Sequence, residues 1–381
     1  MSEVEPDCLD VAAQRKLINE LAEIKVRDLA QTVLKAAQVA GGTAIIGRFL
    51  SGMNGPGRLS IHECIYYRLF DPVLPKSEIG RFISSKQRSA QTLACNDLST
   101  REPTLDKVLW DRLLAEAELP RPEIKAVFGG TVEPANGKWL DTVADLTAFL
   151  SDPANYPMLA KPNFGGRSLG VLGLREVGPD GILLHDGTVR RIRDIIDFID
   201  EFGTKGYIFQ EVLSPHPEMA KVTGGSLATM RLLLLVGANG VEIENITLKV
   251  PTAGAVADNY WRGNLMTAID RETGTATRSI RGSGVDLEVV DRHPDTVADL
   301  TAFKLPDFDA LRALSTCLAA SMPEMTMQGW DVGITDRGYV PIEVNFGGDV
   351  NLQQLAHNKG TMTPRYVAHL KARGYNGPLP A

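Results

Sequence analysis

The chain has 381 residues, 44% of them hydrophobic, and a formal net charge of -7. That length suits two or three packed lobes with real cores. A pI near 5.5 argues against a nucleic-acid binder, because phosphate-backbone recognition needs a basic face.

Cys8, Cys64, Cys95 and Cys317 are scattered without a CxxC pair. Neither a zinc site nor a disulfide framework is expected, and a reducing cytoplasm is the simplest compartment. The N-terminus, "MSEVEPDCLD", is acidic and lacks an apolar signal-peptide core. The longest apolar run, Leu232–Val236, is too short to span a bilayer. A cytoplasmic protein with no membrane partner is the expectation.

Roughly from Asp10 to Val39 the pattern is helical, with Leu17, Leu21, Ile24 and Leu29 recurring among charged residues. "GGTAIIGRFLSGMNGPG" interrupts it, and "LSIHECIYYRLF" and "TLDKVLWDRLLAEAEL" predict further helices. Tyr66 and Tyr67 in the first of these are expected to pack rather than bind.

From about Ile124 the texture becomes mixed. Short β-like runs such as "IKAVF", "MLAKP" and "YIFQEVL" alternate with helical stretches, "DTVADLTAFL" and "IRDIIDFIDEF". The fold class is therefore α+β, with antiparallel hairpins marked by Gly turns. In "MLAKPNFGGRSLGVLGL", Lys161 ends a strand and Gly165, Gly166 and Gly170 follow. A Gly-containing loop lets backbone approach a phosphate, though an ordinary hairpin loop reads the same way. Gln210 and Glu211 close the next strand before Pro215 and Pro217, as a hinge or a plain polar terminus.

"SLATMRLLLLVGANGVEIENITLKV" predicts a hairpin centred on Asn239, pairing Thr229 with Lys249 and Arg231 with Thr247. Arg231 could grip a phosphate or carboxylate in bidentate fashion, or both cations could be solvated. "DNYWRGNLMTAIDRETG" reads as a loop in which Asn259, Arg262 and Asn264 are substrate-contact candidates.

The last hairpin, "GWDVGITDRGYVPIEVNFGGD", is expected to turn through the three residues Asp336-Arg337-Gly338. Centring it on Arg337 sets Asp331 opposite Glu343, with Asn345 two residues further on the same face. Like charges directly opposite destabilise a hairpin, so something must compensate. A hard divalent cation on carboxylate and amide oxygens would do so. Two acids on a solvated face are the other reading, and both stay open at this point.

In chain order, "LDKVLWDRLLAEAELPRP", "LAKPNFGGRSLGV", "IFQEVLSPHPE", "SLATMRLLLLV", "DNYWRGNLMTAIDRETG", "RHPDT" and "GWDVGITDRGYVPIEVN" resemble the ATP-grasp superfamily, most of all its sugar-transfer-associated branch. The resemblance implies an ATP-grasp fold: two α+β lobes, 101–213 and 214–381, clamping ATP after a mainly helical region, 1–100. It implies Lys107 and Lys161 at the ATP phosphates, together with the Gly165-Gly166 loop and Lys249. Gln210, Glu211 and Val212 would line the adenine hinge, and Glu218 would contact ribose. Asp331, Glu343 and Asn345 would be magnesium ligands, and Arg231 would hold the transferring phosphoryl group. Asn259, Arg262 and Asn264 would face the acceptor.

That resemblance implies a carboxylate–amine ligase acting through an acyl-phosphate, with ATP and Mg²⁺ as cofactors and a small-molecule carboxylate and amine as partners. A kinase acting on a hydroxyl and a non-catalytic nucleotide-binding protein are the alternatives. A homodimer is left open. The helical amino-terminal part departs from the Rossmann-like pre-domain usual in the superfamily, and Arg167-Ser168-Leu169 interrupts the glycines of the loop.

Overall fold

The computed structural model describes residues 8–20, 24–26, 28–166, 169–203, 205–252, 260, 263–301 and 303–380. Two seven-stranded sheets organise them. The first contains β1 (Ile124–Phe128), β2 (Lys138–Leu140), β3 (Met158–Pro162), β4 (Leu172–Gly178), β5 (Gly181–Leu184), β6 (Val189–Arg190) and β7 (Tyr207–Glu211). Their spatial order is β2-β1-β7-β3-β4-β5-β6, antiparallel except for the β1–β2 pair. The helix Ile192–Phe202 buries Ile195, Ile196, Phe198 and Ile199 in the core of this lobe, beside Leu146 and Phe149 of a second helix.

The second sheet contains β8 (Thr229–Gly237), β9 (Gly240–Val250), β10 (Leu265–Ile269), β11 (Ala276–Arg281), β12 (Glu288–Val289), β13 (Met327–Thr335) and β14 (Gly338–Phe346). It runs β12-β11-β10-β9-β8-β13-β14 and is antiparallel throughout. Leu232, Leu234 and Trp330 on one face meet the helix Phe308–Ser321. Strands buried on both faces read as continuous apolar runs, which is why "LLLLV" looks so uniform.

The amino-terminal helices are not a separate unit. Phe49, Ile65, Leu69 and Phe70 share one core with Met266, Ala268 and Ile280 of the second sheet and with Leu355. The single helix expected over 10–39 is two, Val11–Glu20 and Leu29–Ala40. The second starts at Asp28, whose side chain accepts from Gln31 N–H as a cap. "LSIHECIYYRLF" is helical only over Ile61–Tyr66.

Both long hairpins correct the expected turn in the same way. β13 and β14 are joined at Thr335 opposite Gly338, so the loop has two residues and Ile334, not Thr335, faces Tyr339. A bulge at Ile342 then inserts the missing residue, and Asp331 still lies opposite Glu343. In β8–β9, Gly237 faces Gly240 and a bulge at Glu244 restores Thr229–Lys249 and Arg231–Thr247. The expected functional register survives because each bulge cancels a turn one residue shorter than predicted.

Candidate functional site

β8 lies beside β13, with Arg231 directly opposite Asp331. Glu343, Asp331, Arg231 and Thr247 therefore form one row across β14, β13, β8 and β9. The solvated-face readings are overturned for three of these groups: Asp331 is 5%, Arg231 7% and Lys249 9% exposed. Asp331 accepts from Arg231 Nε and Nη2 and from Lys249 Nζ, the last at 3.2 Å. Burial alone would raise its pKa, but these two cations hold the carboxyl well below the usual range. The same pairing raises Arg231 against the downward pull of its own burial. The compensation expected of a divalent cation is thus supplied at Asp331 by Arg231 and Lys249.

Glu343 has no cation bridged to it among the described residues, and its neighbour Asn345 turns Nδ2 toward Gly329 O and Glu343 Oε1. Asn345 Oδ1 is the amide atom left to accept. Asp331 uses three of about four carboxylate acceptor positions. No three His, Cys, Asp or Glu side chains form a metal-holding group among the described residues. Even so, Glu343, Asn345 Oδ1 and the remaining position on Asp331 are hard oxygens that fit Mg²⁺. That ion commonly takes only one or two carboxylates and completes its shell with phosphate and water.

Opposite this row, across a cleft of about 1120 Å³, stands the first sheet. Lys161 at the end of β3 is 7% exposed. Lys107 opens the helix Lys107–Glu116, whose cap Asp106 also accepts from Asn163 Nδ2, while Asn163 Oδ1 accepts from Val108 N–H. That network fixes the start of the helix against the end of β3. Lys107 Nζ donates to Asn163 O at 3.2 Å and Gly165 O at 2.9 Å, so it holds the Gly loop closed on itself. Gly165 has φ +141°, and space is open where a Cβ would stand at Gly165 and Gly166. Burial lowers Lys107, and Glu343 and Asp106 oppose the shift. Asn163→Ala is expected to destabilise by about 1 kcal/mol, because the buried Asp106 carboxylate and the Val108 N–H each lose one of their partners while keeping the cap bond between them. Urea unfolding checks it, and an unchanged midpoint contradicts it.

Burial also pushes the Lys161 ammonium down to about 8, with Lys107 acting the same way and Glu343 opposing. Between about 8 and the ordinary 10.5 the unfolded chain holds the proton and the folded chain does not. Stability from this group therefore rises with pH across that window. Anion binding runs the other way, since it needs the ammonium. Affinity for ATP in the wild type is expected to fall above about pH 8, by up to about tenfold per pH unit. Lys161→Arg, which stays charged, should flatten that limb in a calorimetric titration series. A wild-type affinity independent of pH in this range contradicts the role.

The remaining expected residues divide. Gln210 is buried and lines the cleft, as do Glu211 and the half-exposed Val212. The Glu211 side chain is committed elsewhere: Oε1 accepts from Glu123 N at 2.8 Å and from Arg337 Nη2 at 2.6 Å. It ties the first sheet to the tip of the β13–β14 hairpin. Glu218 is not among the described residues lining the cleft; it pairs with Lys221 at 2.7 Å on an exposed helix start. Asn264 is buried, and its Oδ1 accepts from Thr252 N and Oγ1, fastening the two ends of a loop instead of facing the cleft. Asn259 and Arg262 lie outside the described residues.

The sequence reading missed part of the lining. Tyr67 packs as expected, but Tyr66 lines the cleft, as do Arg88, Asp349 and Tyr260. Arg88 Nη1 lies 3.3 Å from Asp349 Oδ1, and Arg231 Nη1 lies 4.0 Å from Asp349 Oδ2. Among the described residues Arg231 Nη1 is buried without a hydrogen-bond partner. Only Asp349 carried a sequence signal, as an acid four residues beyond Asn345; nothing local marks Arg88.

Two sheets thus face each other across the cleft, with Lys161 on one and the buried Asp331–Arg231 row on the other. Residues 87–369 match the family described as sugar-transfer associated ATP-grasp, and the chain belongs to that family. No curated protein matches. Among solved structures, the chain is similar to the ATP-grasp ligase PsnB complexed with minimal precursor, at 14% identity over 73% of this chain and 64% of that one, TM-score 0.38. It is also similar to the ADP complex of purK, N5-carboxyaminoimidazole ribonucleotide synthetase, at 11% over 73% and 54%, TM-score 0.40. A third likeness is to the biotin carboxylase–β,γ-ATP complex from Campylobacter jejuni, at 10% over 75% and 49%, TM-score 0.41. The chain thus spans from about half to just under two thirds of these proteins' length. Among the described residues no helix is long and apolar enough to cross a membrane.

Proposed function

We propose that this chain is an ATP- and Mg²⁺-dependent carboxylate–amine ligase. The observation that carries the reading is the buried Arg231, fixed by Asp331 on two nitrogens with its third, Nη1, making no hydrogen bond among the described residues and lying 4.0 Å from Asp349 Oδ2 at the cleft. A buried guanidinium donor of this kind gains most from an anion that arrives during reaction.

In this reading ATP lies along the cleft, with Gln210 and Val212 at the base and Lys161 and the Gly165-Gly166 amides at the phosphates. Lys107 leaves the carbonyls of Asn163 and Gly165 to join them. A substrate carboxylate oxygen attacks the γ-phosphorus as the bond to the β-bridging oxygen breaks and ADP departs. Arg231 and Lys161 neutralise charge on the γ-phosphoryl oxygens during that transfer, where positioning and electrostatics carry most of the catalysis. The amine then attacks the acyl carbon, the carbon–oxygen bond to phosphate breaks, and one amine proton is lost. Glu343, Asn345 Oδ1 and the remaining position on Asp331 would hold Mg²⁺, which would supply charge neutralisation for the transferring phosphoryl group. No protein nucleophile is needed.

The test is isotopic. With the substrate acid labelled by ¹⁸O in its carboxylate, one label is expected in the released phosphate. Unlabelled phosphate with amide product contradicts the acyl-phosphate route, and a phosphate ester without amide establishes the kinase alternative.

A further inference from the structure

The cleft has two chemically different ends. At the second, the wall comes from parts of the chain outside the phosphate machinery: Ile24, Val26, Tyr66, Tyr260, Val285 and Leu352 all line the cleft. Five of them are half-buried apolar side chains packed on the core shared by the amino-terminal helices and the second sheet, and Tyr260 belongs to that core. Three, at positions 24, 26 and 66, precede the family match that begins at residue 87.

This wall is built rather than incidental. Val26 N–H donates to His62 Nδ1 at 3.1 Å, which pins the 24–26 segment to the helix bearing Tyr66. Tyr66 meets Tyr67 edge-on with ring centroids 5.3 Å apart. The Tyr260 hydroxyl is satisfied by Gly282 O. Its hydroxyl is thus taken, and the ring is left as apolar surface.

Guanidinium donors also face this end. Arg231 is paired with Asp331 through Nε and Nη2, its Nη1 makes no hydrogen bond among the described residues, and Arg88 reaches Asp349 through Nη1 alone. Both guanidinia therefore keep donors for a second carboxylate. Lys25, Thr32, Ser283, Asp286 and Asn351 line the cleft beside these side chains, but against the six apolar ones themselves a hydroxyl would go unpaired, at a cost for each such group. An apolar or aromatic body would lose nothing there. A typical ligand cavity is roughly 300–1,000 Å³, and at about 1120 Å³ this cleft has room for an acid beside a nucleotide.

We propose that this end of the cleft binds a substrate with one carboxylate on an apolar body of aromatic size. Arg88 and Arg231 grip its carboxylate, and Tyr66 and Tyr260 form its wall. The fate of that acid rests on the ligase reading; its recognition does not. The amino-terminal helices, in this account, set substrate choice.

The test uses the full chain with Mg²⁺ and a non-hydrolysable ATP analogue, titrated calorimetrically with 3-phenylpropionate, its carboxamide and gluconate. Phenylpropionate is expected to bind at least about tenfold more tightly than the other two, the carboxamide having lost a charge-assisted pair. Arg88→Gln and Tyr66→Asn should each weaken it about tenfold or more, with Tyr66→Leu retaining it and analogue binding reporting that each variant is folded. Gluconate binding more tightly, none of the three binding, or variants that match wild type would overturn the assignment. Hydroxylamine trapping with ATP separates the two readings. Phenylpropionate bound and ATP turned over without hydroxamate removes the ligase and keeps the pocket; hydroxamate from gluconate alone keeps the ligase and removes the pocket.

Discussion

Glu343→Ala is expected to lower Mg²⁺-dependent ATP turnover about a thousandfold or more while leaving the fold intact. The first half follows from the electrostatics of phosphoryl transfer: several kcal/mol of charge stabilisation correspond to about three powers of ten in rate. The second follows from the sheet. Glu343 stands opposite Asp331 and has no cation bridged to it among the described residues, so its removal relieves a like-charge pair worth about 0.2–1 kcal/mol and gives up a comparable attraction to Lys107, Lys161 and Arg231. Glu343→Gln should behave the same way, since its amide keeps the volume but loses the charge. Turnover near the wild-type level in either variant would remove Glu343 from the metal site. A large loss of thermal stability would mean that its role is structural.

Arg231→Ala should fail differently. Its side chain and that of Asp331 are each only 8% exposed. Removing one partner of a buried pair leaves an uncompensated charge, at about 3–5 kcal/mol. Lys249, at 3.2 Å, places the expected loss at the lower end of that range. Turnover should fall by a larger factor than nucleotide affinity, because in the proposed reaction Nη1 meets the reacting group. The double variant Arg231→Met/Asp331→Leu separates the two effects: replacing both charges by apolar groups of similar volume should restore much of the stability and none of the turnover. Urea unfolding and steady-state ATP consumption read the two quantities. A single variant with weakened nucleotide binding and near-normal turnover at saturation would move Arg231 out of the reacting centre.

What could be read from the sequence, and what could not, follows from the range of the interactions. The pairing of Asp331 with Glu343 and of Arg231 with Thr247 was legible from strand alternation. Both turns were misjudged, and the bulges at Ile342 and Glu244 hid the error. The helix Ile192–Phe202 was legible from its period. The contact between β8 and β13 was not, because the two strands are about a hundred residues apart and no local rule sets them side by side. So the sequence showed two facing acids and left open a divalent cation or a solvated face; tertiary structure supplied Arg231 and Lys249 at Asp331. Glu218 and Asn264, which have partners away from the described cleft lining, show the ambiguity of such signals. Polar residues at a strand end or loop fit a ligand, a cap or a latch equally well. Arg88 and Tyr66 reach the cleft only because the amino-terminal helices dock on the second sheet, a packing event with no motif.

The central claim is that this site activates a carboxylate with ATP, and the most direct measurement is hydroxamate formation. The full chain is incubated with ATP, Mg²⁺, hydroxylamine and a panel of carboxylic acids. The account predicts ADP and a hydroxamate in equal amounts with a subset of the acids, and neither product from Glu343→Ala. ADP produced with acids in the panel but without any hydroxamate would contradict it.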